Sequence, residues 1–206
     1  DTTKAVAADC SKEGKKVEKC SVCGYEKETV LPKTEHAWGA ESAETKPEGK
    51  TGYKTRECSA CHQKDLIVDA LAWTNISGSN KDSSGATLKL KSNNDYVDYE
   101  FTAPNAMTNV TVGLFGYVSA DNTSQGLFVN GAANLEISFN DTAMKITNQA
   151  SYADMGMTAQ DGEEECDPML VELGTVDSIA AGELKITYKR LASYNMNITQ
   201  IHLIYK

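Results

Sequence analysis

Two Cys-x-x-Cys pairs constrain this chain more than any other feature. Cys20 and Cys23 recur 38 residues later as Cys58 and Cys61, with Gly14 and Gly52 six positions ahead of each pair and Trp38 and Trp73 behind them. Units this short bury too little apolar surface to fold unaided. Only 13 of the first 73 residues are Leu, Ile, Val, Phe, Met, Trp or Tyr, so something must staple them. Thr29-Val30-Leu31 and Leu66-Ile67-Val68 follow the cysteine pairs as second strands of β-hairpins, and the Pro-Glu-Gly turn at 47–49 marks the connection.

A Cys-x-x-Cys knuckle sets two thiolates on one side of a tight turn, and a glycine after it, Gly24, lets backbone amides point at sulfur. That suits tetrahedral zinc. In the first unit Cys10 and His36 complete a set of four with Cys20 and Cys23. The second unit breaks the pattern, with Glu48 where Cys10 stood, Leu71 where His36 stood and His62 in place of the knuckle glycine. Cys58 and Cys61 therefore have lost their metal, share one with the first unit, or recruit His62 or Glu48. Oxidised cysteines, including a Cys58–Cys61 loop, are the competing reading in an oxidising compartment. A redox role lacks the βαβ context it needs.

Composition changes at one place. Five of six cysteines precede residue 74 and all thirteen asparagines follow it, which puts a boundary at Trp73/Thr74. Residues 1–73 read as two ribbon-like repeats, about 3–39 and 41–73, and residues 74–206 as a second domain. There the pattern is period-two alternation broken by Asn, Gly, Asp and Ser. Leu88/Leu90, Val97/Tyr99/Phe101, Val110/Val112/Leu114, Leu127/Val129, Leu135/Ile137/Phe139, Met144/Ile146, Leu184/Ile186/Tyr188 and Ile201/Leu203/Tyr205 each line one strand face. The expected fold is mainly β: small zinc-ribbon-like hairpins followed by an antiparallel β-sandwich of the jelly-roll kind.

Charge narrows the partners. The net charge of −9 lies mostly in the second part, where 8 basic residues meet 16 acidic ones. Such a surface repels phosphate backbones and anionic lipid, which excludes nucleic acid as a partner. No apolar run reaches the roughly 20 residues of a membrane-spanning helix. Five carboxylates fall within residues 161–167, a calcium candidate through oxygen ligands or else a solvated loop. Cys166 within it has no local partner. Catalytic signatures such as Gly-x-Ser-x-Gly, a phosphate loop or His-Glu-x-x-His are missing, so the expectation is a binding module and not an enzyme.

Two resemblances sharpen this. Cys10, Gly14, Cys20, Cys23, Gly24, Pro32, His36 and Trp38 follow in order the pattern of short repeats in surface proteins of anaerobic Gram-positive bacteria, and residues 3–73 resemble those repeats, which are similar to spacers. The likeness implies a secreted or cell-surface bacterial protein with further domains. Residues 92–118 and 171–205 resemble the early and closing strands of carbohydrate-binding modules of the family 6 and 35 type. That resemblance implies a jelly roll holding a polysaccharide or oligosaccharide. Sugar C–H faces pack on aromatic rings and hydroxyls take amide partners. Tyr117, Tyr152 and Tyr194 near loops, with Asn195 and Asn197 before the last strand, are the ligand-binding candidates. The chain departs from that family in lacking tryptophan across 75–206, lacking the early Glu-x-Glu and carrying Thr199 where a calcium-linked aspartate is usual. A spacer or protein-adhesion module without sugar affinity is the alternative.

Overall fold

The computed structural model describes residues 4–10, 12–78, 85–192 and 196–206. Strands β1 (Gly14–Lys19) and β2 (Glu26–Leu31) pair antiparallel as an isolated ribbon, Gly14 opposite Leu31 and Lys19 opposite Glu26. One repeat later β3 (Tyr53–Glu57) and β4 (Lys64–Asp69) form the corresponding hairpin. Side chains decide how differently the two hairpins are used. Glu26–Leu31 carries charge at its first three positions and stays largely exposed, held by surface ion pairs such as Lys4–Glu26 at 2.7 Å that contribute little each. Leu66-Ile67-Val68 is apolar on both faces, and all three side chains are buried. A strand of that kind belongs inside a sheet.

That sheet is five-stranded, in the order β12 (Met169–Ile179), β7 (Met107–Tyr117), β14 (Asn197–Tyr205), β4, β3. A second five-stranded sheet runs β11 (Thr142–Ala143), β10 (Leu135–Phe139), β13 (Gly182–Arg190), β6 (Tyr96–Ala103), β5 (Asn75–Ser77). A short ribbon, β8 (Phe128–Val129) with β9 (Ala132–Ala133), completes the set. The described ladders are antiparallel, and the described residues hold no α-helix, with a 3₁₀ turn at Ala120–Asn122. The result is a two-layer antiparallel β-sandwich.

Alternation builds its core. Val97, Tyr99 and Phe101 of β6, Val110, Val112 and Leu114 of β7, and Leu184, Ile186 and Tyr188 of β13 are buried in one cluster. Each such side chain contributes on the order of 1.5–3 kcal/mol through area removed from water. Tyr99 keeps its hydroxyl satisfied by donating to the Ala70 carbonyl at 2.8 Å. In β14 the register slips between Ile198 and Gln200, and the extra residue, Thr199, donates its hydroxyl to the Phe115 carbonyl at 3.0 Å. The bulge lets Ile198 and Ile201 both reach the core despite their odd spacing.

Three expectations change. The chain divides into Asp1–Glu41 with Arg56–Lys64, and Ser42–Thr55 with Asp65–Lys206, so Trp73/Thr74 is not the boundary between compact units. The second ribbon repeat is split because its strands supply the sandwich sheet while its knuckle belongs to the small unit. Leu88/Leu90 and Met144/Ile146 are not strands: Leu88 makes a single bridge to Ile198, and Met144 and Ile146 run without a ladder. Leu88, Leu90 and Ile146 are nevertheless buried core side chains.

Candidate metal centre

The small unit gathers a ligand set from three stretches of chain. Thr34 N–H donates to the Asp9 carbonyl at 3.3 Å, which brings the segment after β2 beside Cys10. Ahead of it, Gly14 permits a close crossing: a Cβ there would sit 2.3 Å from the Ala8 nitrogen and 2.6 Å from the Val6 oxygen. Residues 37–39 then run along the second knuckle. Ser59 N–H donates to the Ala37 carbonyl at 2.9 Å, Gly39 N–H to the Glu57 carbonyl at 2.9 Å, and Trp38 bridges Cys58.

Cys10, His36, Cys58 and Cys61 consequently place one ligand atom each within 4.8 Å of all the others. Cys10 Sγ is 3.6 Å from Cys58 Sγ, and Cys61 Sγ is 3.5 Å from His36 Nδ1. A tetrahedral zinc with sulfur at about 2.3 Å and nitrogen at about 2.0–2.1 Å sets ligand atoms roughly 3.8 and 3.6 Å apart. The sulfur separation is far from the roughly 2.05 Å of a disulfide, and all six cysteines are free. Three thiols and one imidazole with these spacings fit a structural zinc, in which four protein ligands leave no open position.

Thiol acidity reflects the crowding. Burial alone would push Cys58 up. The Cys61 amide, the His36 ring, the Ala60 amide and the Cys61 thiol outweigh it and bring Cys58 down to about 6. Cys10 is pushed up to about 12 by its hydrogen bond to Cys61, by burial and by Cys58. One thiolate is thus favoured, and a further one needs a cation to neutralise it.

Outside the ligands, His36 stacks on Trp38 with centroids 4.5 Å apart, and the Arg56 guanidinium lies 4.7 Å over the same indole. The stacked indole fixes the imidazole's orientation. Trp38→Ala is expected to weaken zinc binding about tenfold, as loss of an orienting neighbour does. Competition against a chromophoric chelator measures it.

The expected set is corrected on these observations. Cys10 and His36 belong to the cluster, but Cys20 and Cys23 stand exposed outside it, and Cys58 and Cys61 take their place. Of the alternatives open for the second pair, sharing with the first unit is the one the geometry realises. Neither His62 nor Glu48 joins: His62 Nδ1 lies 3.1 Å from Glu57 Oε1 instead. The carboxylates of 161–167 do not converge into a second group among the described residues, and Cys166 turns into the core. Gln160 Nε2 donates to Asp167 at 2.7 Å across that turn.

No family model and no curated protein matches the chain. Among solved structures it is similar to a Podospora anserina GH26-CBM35 β-(1,4)-mannanase, at 11% identity over 69% of this chain and 28% of that one, with a TM-score of 0.44. It is also similar to the catalytic domain of a GH87 α-1,3-glucanase in complex with nigerose, at 13% identity over 67% of this chain and 27% of that one, TM-score 0.36. The chain thus spans little more than a quarter of either. Likenesses this loose say nothing about a ligand.

The sugar-binding candidates fare unevenly. Asn197 pairs with Tyr117 in the β14–β7 ladder, so those two do come together. Tyr117 is half-buried, while Asn197 is buried with no hydrogen-bond partner for its Oδ1 among the described residues. Tyr152 is buried in the core and offers no ring to a ligand, which removes it from the set. Its place in a loop suggested exposure, but Tyr152 N–H donates to the Gln125 carbonyl at 2.7 Å and the ring packs inward. Tyr194 and Asn195 lie outside the described residues.

Two features escaped the sequence. A cleft of about 410 Å³ opens at the sheet edges beside β10, β11 and β12, lined by Asn140, Thr142, Lys145, Asp177 and Ser178 over Phe139 and Met144. Tyr117, Tyr152 and Asn197 do not line it. On the opposite side of β14 and β4 from the core, Asp65 and His202 form a buried pair, Nδ1 to Oδ2 2.9 Å, with His202 Nε2 3.1 Å from Gln200 Oε1. Only the outward phase of both residues along their strands hinted at their meeting.

Proposed function

We propose that the chain is a non-catalytic module of a larger secreted or cell-surface protein, in which a structural zinc on Cys10, His36, Cys58 and Cys61 closes the small unit and the sandwich engages a glycan. The observation that carries this reading is the convergence of four ligand atoms within 4.8 Å. With every position taken by protein, such a metal organises the fold and activates no water. Zinc analysis of protein purified without added metal tests it, the expected result being one per chain.

Glycan binding is supported by Tyr117 beside Asn197, whose buried Oδ1 lacks a partner among the described residues. An orphaned amide oxygen costs stability unless a donor meets it, and a sugar hydroxyl is such a donor. The polar cleft at the sheet edges offers hydroxyl, amide and carboxylate partners of the same chemistry. Affinity electrophoresis in neutral polysaccharides, with Tyr117→Ala and Asn197→Ala beside the parent, is expected to show retardation that each substitution reduces at least tenfold. No retardation in any polysaccharide leaves the spacer reading, which the burial of Tyr152 favours.

A further inference from the structure

The two knuckles are the same object, and only one of them has its ligands. In the second, Cys58 N–H donates to the Gln63 carbonyl at 2.9 Å and His62 N–H to the Cys58 carbonyl at 2.9 Å. In the first, Cys20 N–H donates to the Tyr25 carbonyl at 2.8 Å and Gly24 N–H to the Cys20 carbonyl at 2.9 Å. His62 and Gly24 both adopt the left-handed conformation, φ 59° and 73°. The amides of Cys23 and Val22 point at Cys20 sulfur as those of Cys61 and Ala60 point at Cys58. Yet Cys20 and Cys23 face solvent.

The ligated knuckle shows what is missing. It receives Cys10 and His36 from the repeat ahead of it, and residues 37–39 of that repeat lie along Glu57–Ser59. Among the described residues nothing lies along Lys19–Ser21 in the same way. The first knuckle also carries apolar side chains where solvent should disfavour them: Val22 is 94% exposed and Tyr25 69%. Exposed apolar side chains gathered around an unsatisfied ligand pair mark an interaction surface.

We propose that Cys20 and Cys23 are half of a second zinc site, completed by the cysteine and the His-Ala-Trp segment of another copy of the repeat set one period ahead, docked as Cys10 and His36-Ala37-Trp38 dock on Cys58 and Cys61. The proposal rests on the zinc reading of the first cluster. Because each repeat gives its cysteine and histidine forward and receives on its own knuckle from behind, the contact is head-to-tail and propagates into a zinc-pinned array rather than closing into a pair. The array ends where a repeat lacks these donors, as the second one does with Glu48 and Leu71.

A chain in which residues 1–38 are duplicated ahead of Asp1 tests this beside the unextended chain. The unextended chain is expected to hold one zinc and leave two thiols, Cys20 and Cys23, quick to react with a water-soluble alkylating reagent. The extended chain is expected to hold two, with the original Cys20 and Cys23 now protected. In the extended chain Cys20→Ser with Cys23→Ser should return the count to one, and so should Ser in place of the added copy of Cys10, while the first zinc serves as the check that the protein is folded. One zinc on the extended chain with Cys20 and Cys23 still reactive overturns the proposal. So does a zinc-dependent dimer of the unextended chain with extra metal on paired Cys20–Cys23 knuckles, which would make the contact symmetric. No zinc on either chain sinks the reading of the first cluster instead.

Discussion

Stripping zinc with a chelator is expected to abolish backbone protection in β1, β2 and the second knuckle while β6, β7, β13 and β14 keep theirs. The small unit has few apolar side chains, its ribbon is largely exposed, and its surface ion pairs add little. Metal free energy in such a unit is folding free energy, on the order of 10 kcal/mol or more for structural zinc. The sandwich is held by its own core and is expected to survive metal loss. Cys58→Ser should reproduce the chelator's effect, since three ligands do not close the site. Acid acts in the same direction. Binding must displace the proton that Cys10 holds up to about 12, so affinity falls as pH falls, and more steeply below about 6, where Cys58 is protonated as well. Hydrogen exchange with and without chelator at pH 7, and zinc release followed from pH 7 to 4, measure both. Uniform loss of protection through the sandwich, or none in β1 and β2, would contradict the expectation.

How much of this was legible depended on whether a residue's partner lay within one repeat. The sandwich strands were visible because alternation is a local signal, and Val97/Tyr99/Phe101 or Leu184/Ile186/Tyr188 need no distant information to show which face is apolar. The ligand types were visible too. Which knuckle they serve was not. Two Cys-x-x-Cys pairs compete for one cysteine and one histidine, so one pair must stay incomplete, and spacing alone favours the nearer one. Geometry reverses that choice because Ala37–Gly39 finds its hydrogen-bonding edge at Glu57–Ser59. One clue was available: Leu66-Ile67-Val68 is too apolar for a free ribbon, unlike Glu28-Thr29-Val30, and that contrast already separates the second hairpin's strands from the first's. Tyr152 misled because a residue in a loop by composition can still point its ring into the core.

Asp65→Ala is expected to destabilise the sandwich by about 3–5 kcal/mol, the cost of removing one partner from a buried charged or polar pair. Asp65 and His202 are both buried, on neighbouring strands, with Nδ1 2.9 Å from Oδ2. Gln200 Oε1 lies 3.1 Å from the other ring nitrogen, and the Phe115 ring sits 6.0 Å from the imidazole. With the carboxylate gone, the buried Nδ1 loses the acceptor that meets it. For a chain of this size the loss corresponds to a fall in Tm of roughly 10 °C. Asp65→Asn keeps an acceptor oxygen in place and should cost clearly less. Asp65→Ala combined with His202→Leu, which removes both polar partners, should be less destabilised than the sum of the single changes by at least 1 kcal/mol, as expected of residues in direct contact. Urea unfolding of the zinc-bound protein measures all four. Strict additivity would mean that the two side chains are packed independently and that their hydrogen bond contributes nothing to the fold.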